Sequence, residues 1–155
     1  MLLDLYKLLS FNVHDTYFII GKGHIPIVII ASIWINDTMA YLVGSFIGRT
    51  QLTKISPKKT WEGTLGGIVL SIVTIGIVIY LMTDFWPIAL YGMIIAATCA
   101  IFGTLGDLFE SKLKRIADVK DSGSFMPGHG GFLDRFDSLL FAVPAVWAYV
   151  YLFVK

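Results

Sequence analysis

The sequence predicts an all-α, polytopic membrane protein with about four transmembrane helices and polar loops facing the cytoplasm. Three observations lead there. Of 155 residues, 56% are hydrophobic, against roughly 45–50% in soluble domains. Mean hydropathy is +0.76. The apolar residues gather in four stretches close to the roughly 20 residues that a spanning helix needs. The net charge of +1 says little, because the charges are unevenly spread. Cys99 stands alone in an apolar run, so neither an intrachain disulfide nor a cysteine zinc pair is available.

The elements follow in order. Residues 1–24 are mixed in character and read as an interfacial or residual N-terminal segment. No basic start precedes a clean apolar core, so they make a poor signal peptide. Transmembrane helices are expected over 25–48, 64–82, 87–106 and 138–154. No repeat, low-complexity tract or linker divides the chain, so 1–155 reads as a single membrane domain. Arg49, Lys54, Lys58 and Lys59 lie between the first two spans. Lys112, Lys114, Arg115, Lys120 and Arg135 lie between the last two. The tip between the second and third spans carries no basic residue. Both basic loops therefore fall on one side, which the positive-inside rule makes cytoplasmic.

The first span contains Trp34, Asn36, Asp37, Thr38 and Tyr41. A carboxylate inside an apolar span costs on the order of 2.5–3.5 kcal/mol. Asp37 is therefore expected to face a polar cavity, a partner or an ion. Gly44 with Gly48, and Gly63 with Gly67, form GxxxG pairs that suit close helix packing. Before the second span, Ser56 can cap a helix with Pro57 at its first position. Lys58 and Lys59 beside that terminus fit an anion site, and equally fit snorkelling anchors at the membrane face.

The densest chemistry lies between the third and fourth spans. Asp107, Glu110 and Ser111 share a helical face by spacing, as do Asp134 and Asp137. If those two helices pack side by side, Asp107, Asp134 and Asp137 converge on one small volume. Three unneutralised carboxylates at a membrane edge repel, and a divalent cation relieves them. Oxygen donors without a Cys/His cluster favour Mg2+ over Zn2+. The turn Gly128-His129-Gly130-Gly131 can expose backbone N–H groups to a phosphate. Lys114, Arg115, Lys120 and Arg135 supply the cationic complement. A solvated loop of balanced charge explains the polarity, but not acids at both span ends with a glycine turn between them.

Three blocks resemble the phosphatidate cytidylyltransferase (CDP-diacylglycerol synthase) family. The first is Trp34-x-x-Asp37-Thr38-x-Ala40-Tyr41-x-x-Gly44-x-x-x-Gly48-Arg49. The second is Ile55-Ser56-Pro57-Lys58-Lys59-Thr60-x-Glu62-Gly63. The third runs Ser111-x-Leu113-Lys114-Arg115, Lys120-Asp121-x-Gly123 and Pro127-x-His129-Gly130-Gly131-Phe132-x-Asp134-Arg135-x-Asp137. Met126 stands where the family usually has Leu, Ile or Phe. Family members carry several more N-terminal spans, so this chain looks like the C-terminal, motif-bearing part of such an enzyme.

The resemblance implies transfer of CMP from CTP to phosphatidate, giving CDP-diacylglycerol and pyrophosphate in phospholipid biosynthesis. It implies Mg2+, with a monovalent cation such as K+ beside it. It also implies a homodimer in the bacterial inner membrane, with the site facing the cytoplasm and no nucleic-acid partner. Under it, Asp107, Asp134 and Asp137 hold the metal. Lys114, Arg115, Lys120 and Arg135 meet the triphosphate or the phosphatidate phosphate. Ser56, Lys58 and Lys59 form a second phosphate clamp, and His129, Gly130 and Gly131 cradle a phosphate. Asp121 lies in the substrate-binding signature, and Asp37 faces the same cavity. The competing readings are a catalytically incompetent fragment of that family, a CTP-dependent polyprenol or phytol kinase, and an ion-conducting membrane protein.

Overall fold

The computed structural model describes residues 24–53, 55–119 and 133–153, with side chains left out at 133–135 and 153. The expected segment 1–24 thus lies almost wholly outside the described residues. Among the described residues there are four helices: α1 (Ile25–Ile47), α2 (Trp61–Thr83), α3 (Trp86–Ile116) and α4 (Leu133–Phe153). Among the described residues there is no strand beyond an isolated bridge between Gln51 and Thr60.

The first three helices are long and apolar enough to cross a membrane, and α4 is apolar from Phe136 to Leu152. Three of them outrun the expected spans at the polar end, α2 by the three residues from Trp61. Helix α3 continues ten residues past Gly106, and α4 begins five before Ser138. Hydropathy marks where a helix leaves the apolar layer, whereas backbone hydrogen bonding continues through Asp107 to Ile116.

Start and stop signals are local. Pro26 and Pro87 occupy early positions of α1 and α3, where a missing N–H costs nothing. Thr60 caps α2 by accepting from the Gly63 N–H at 3.1 Å. The expected cap at Ser56 is therefore corrected. Ser56 instead closes a turn, its carbonyl accepting the Lys59 N–H at 3.1 Å. Both serine and threonine can cap, but only Thr60 adopts the extended backbone next to the helix. At its other end α2 stops on Asp84, in the left-handed region at φ 50°, which Asp tolerates better than most residues.

Packing pairs α1 with α2, α2 with α3, and α3 with α4, while α1 also touches α3. One core joins Ile25, Ile29 and Ile33 of α1 to Ile95 and Cys99 of α3 and Ala142, Val146 and Val150 of α4. A second joins Ile75 and Ile79 of α2 to Ile88, Ala89 and Ala96 of α3. Cys99 is a small packing residue there, fully buried. Within the bundle the Ser71 hydroxyl donates to the Ser32 carbonyl at 3.0 Å, tying α2 to α1. The outer surface is apolar: Trp34, Tyr41, Phe46 and Leu81 are all more than two-thirds exposed. Such a broad apolar exterior suits lipid contact and is rare on soluble monomers.

Small residues set how near the helices come. A Cβ placed on Gly63 would lie 2.6 Å from the Ala40 carbonyl and 2.8 Å from Gly44 Cα. The α1–α2 seam therefore needs glycine there, and the GxxxG residues pack helices as expected. The same holds between α3 and α4 at Gly106, with consequences for the site.

Candidate functional site

The site forms at the end of the bundle where α1 and α3 finish and α2 and α4 begin. Its base is the α3–α4 contact. A Cβ on Gly106 would sit 2.6 Å from the Asp137 carbonyl and 3.1–3.2 Å from Phe141. Only a hydrogen side chain lets α4 lie so close. That closeness carries Asp107, the next residue on α3, to Asp137 on α4.

One turn further along α3 comes Glu110, almost fully buried at 4% exposure. Asp107, Glu110 and Asp137 each offer a carboxylate oxygen, and these oxygens lie within 4.8 Å of one another. Such a group of hard oxygen donors suits a divalent cation of the Mg2+ or Ca2+ type. Cys99 is buried in the apolar core, and His24 lies at the opposite end of α1. Neither offers this cluster a softer ligand.

Two lysines meet the triad. Lys59, from the α1–α2 loop, forms an ion pair with Asp107. Lys114 lies 3.4 Å from Glu110 across one helical turn. The carboxylates of Asp37 and Asp137 also act on the Lys59 ammonium. Partial burial pulls Lys59 below the usual lysine range, and the two acids oppose that pull. Asp37 also accepts a long hydrogen bond, 3.5 Å, from the neighbouring Asn36 amide.

The loop carrying Lys59 is tightly tied. Leu52 N–H donates to the Lys59 carbonyl at 2.8 Å, and Trp61 N–H to the Thr50 carbonyl at 3.0 Å. Ser56 N–H donates to Thr53 Oγ1 at 3.2 Å. Glu62, in the first turn of α2, accepts from the N–H groups of Arg49 and Thr50 at 3.2 Å and from the Thr50 hydroxyl at 2.5 Å. Glu62 therefore holds the loop's entry rather than joining the acid cluster. Substituting Glu62→Gln should weaken that clamp, because hydrogen bonds to an ionised acceptor are the stronger kind. Proteolysis between 49 and 60 is expected to quicken several-fold, with the helix content by circular dichroism unchanged.

The residues singled out in the sequence fall into three groups. Asp107, Asp137, Lys59, Lys114 and Asp37 come together. Ser56 sits in the same loop, while Lys58 on it and Arg115 at the end of α3 are exposed. Asp134 and Arg135 lie on the first turn of α4, but their side chains are not among those described. Lys120, Asp121, His129, Gly130 and Gly131 lie outside the described residues. Glu110 was not among the expected ligands, although its place three residues after Asp107 already put it on the same face.

The sequence model of the cytidylyltransferase family matches residues 5–153. A phosphatidate cytidylyltransferase of Synechocystis is 46% identical over 130 residues, covering 83% of this chain and 43% of that protein. The phosphatidate cytidylyltransferase of Bacillus subtilis is 48% identical over 123 residues, covering 78% of this chain and 45% of its own length. The chloroplastic phosphatidate cytidylyltransferase 4 of Arabidopsis thaliana is 49% identical over 117 residues, 74% of this chain and 29% of that protein. The chain thus spans less than half the length of these curated relatives.

Proposed function

This chain belongs to the cytidylyltransferase family, and from that premise we propose that it carries the catalytic end of a CTP:phosphatidate cytidylyltransferase. The observation that carries the proposal is the meeting of Lys59, Asp107, Glu110 and Asp137, drawn from three separate stretches of chain. Carboxylates beside lysines at the end of an apolar bundle suit polyphosphate chemistry on a lipid.

A phosphatidate phosphate oxygen attacks the α-phosphorus of CTP, the bond to the β-phosphate oxygen breaks, and pyrophosphate leaves. The nucleophile is already anionic, so no strong general base is needed. The difficulty is to bring polyanions together and to stabilise the leaving group, which is a task of positioning and electrostatics. Asp107, Glu110 and Asp137, with Asp134, would hold Mg2+, which would supply neutralisation of phosphate charge. Lys59, Lys58 and Ser56 clamp a phosphate from the α1–α2 loop. Lys114, Arg115, Lys120 and Arg135 meet the triphosphate or the phosphatidate phosphate. His129, Gly130 and Gly131 cradle a phosphate, Asp121 completes the binding segment, and Asp37 orients Lys59.

The proposal extends to a multi-pass bacterial inner-membrane protein with this site on the cytoplasmic face, as the basic loops support. A homodimer and a monovalent cation such as K+ rest on the resemblance alone. Product analysis tests the reading. The chain in nanodiscs, given CTP, short-chain phosphatidate and Mg2+, should release CDP-diacylglycerol and pyrophosphate, and EDTA should stop it. With phytol or a polyprenol added as acceptor, formation of CDP and the phosphorylated alcohol would favour the kinase reading instead.

A further inference from the structure

We infer that Lys59 and the divalent cation are exchange partners at Asp107: the ammonium holds this carboxylate in the cation-free protein and passes to substrate phosphate when a cation enters. The inference rests on the metal-assisted reading above. Its ground is that one carboxylate belongs to two sets. Asp107 is paired with Lys59, and it is one of three acids whose oxygens lie within 4.8 Å. An ammonium and a dication on the same small carboxylate repel each other. Binding of either therefore weakens binding of the other.

The surroundings allow the exchange without refolding. The Lys59 backbone is fixed, its N–H to Ser56 and its carbonyl to Leu52. Its side chain is 30% exposed and so is not sealed inside the bundle. Only side-chain torsions need change. Lys114 pairs with Glu110 within the same helix. In the exchanged state the lysine stands beside phosphate oxygens gathered at the same acids. Phosphate that takes up the ammonium frees Asp107, so cation and phosphate each assist the other, as linkage requires.

The test needs no nucleotide. Mn2+ binding to the full chain in nanodiscs is followed by electron paramagnetic resonance for wild type, Lys59→Met and Lys112→Met. Methionine keeps the apolar stem and removes the charge. Lys112, exposed on α3, reports the general effect of losing one positive charge. We expect Lys59→Met to bind Mn2+ roughly tenfold tighter than wild type, within the usual range of coupling between sites, and Lys112→Met to match wild type. Equal affinity in Lys59→Met and wild type overturns the exchange while leaving a metal site in place. No Mn2+ binding in any of them overturns both the exchange and the metal-assisted reading. If Lys59→Met fails to fold, acylation of Lys59 in the wild-type chain decides by mass spectrometry. Labelling should rise several-fold on adding Mg2+, and unchanged labelling overturns the proposal.

Discussion

For the proposed reaction, Asp137→Asn is expected to reduce CDP-diacylglycerol formation by about a thousandfold, a loss of about 4 kcal/mol of transition-state stabilisation. Asparagine keeps the size and shape of the side chain, so α4 should still form and pack. What disappears is one charge from a three-carboxylate set whose oxygens lie within 4.8 Å of one another. The two acids left of that set, Asp107 and Glu110, come from a single helix, so the proposed ligand Asp134 would be alone in meeting a cation from the α4 side. The loss should appear in kcat, with helix content preserved by circular dichroism, and excess Mn2+ should recover part of it. Turnover above a tenth of wild type would remove Asp137 from the ligand set.

Gly106→Val should harm both stability and turnover. Its first side-chain carbon would meet the Asp137 carbonyl at 2.6 Å and two Phe141 atoms at 3.1–3.2 Å. The ring can rotate aside, but a backbone oxygen cannot move without α4. Overpacking of this kind typically costs about 1–3 kcal/mol. Separation of α3 from α4 also pulls Asp137 away from Asp107, and a misplacement of about 1 Å is worth on the order of a hundredfold in rate. The checks are a lower unfolding midpoint in detergent and at least that fall in turnover. Full activity with valine would mean that the site does not depend on this contact.

Much of the fold was readable from hydropathy, because lipid-facing helices must be apolar along their whole length. The ends were less readable. The pair Ser56-Pro57 has the chemistry of a helix start, yet Thr60 takes that role because its oxygen faces the Gly63 N–H. The pairing of Asp107 with Asp137 followed from assuming that α3 and α4 are neighbours, and Gly106 is the physical reason they are. Glu110 was seen on the right face but not counted as a ligand, since burial cannot be read from spacing. The pairing of Lys59 with Asp107 had no local signal at all. It links residues 48 apart through a hairpin loop whose shape depends on Glu62 at its far end. Signature residues between 120 and 132 were legible as a motif only.

Helix α3 works as a ruler. From Trp86, an aromatic residue of the kind that settles at a membrane surface, to Asp107 is roughly 32 Å along the axis at 1.5 Å per residue. A typical hydrocarbon layer is about 30 Å thick. With the tryptophan at one surface, the acids reach the other at the depth where phospholipid phosphates lie. A lipid substrate would then arrive by lateral drift, its tails never leaving oil and its headgroup already level with the ligands. Host membranes much thicker than this would sink the carboxylates below the headgroups, so bilayer thickness itself becomes a determinant of rate.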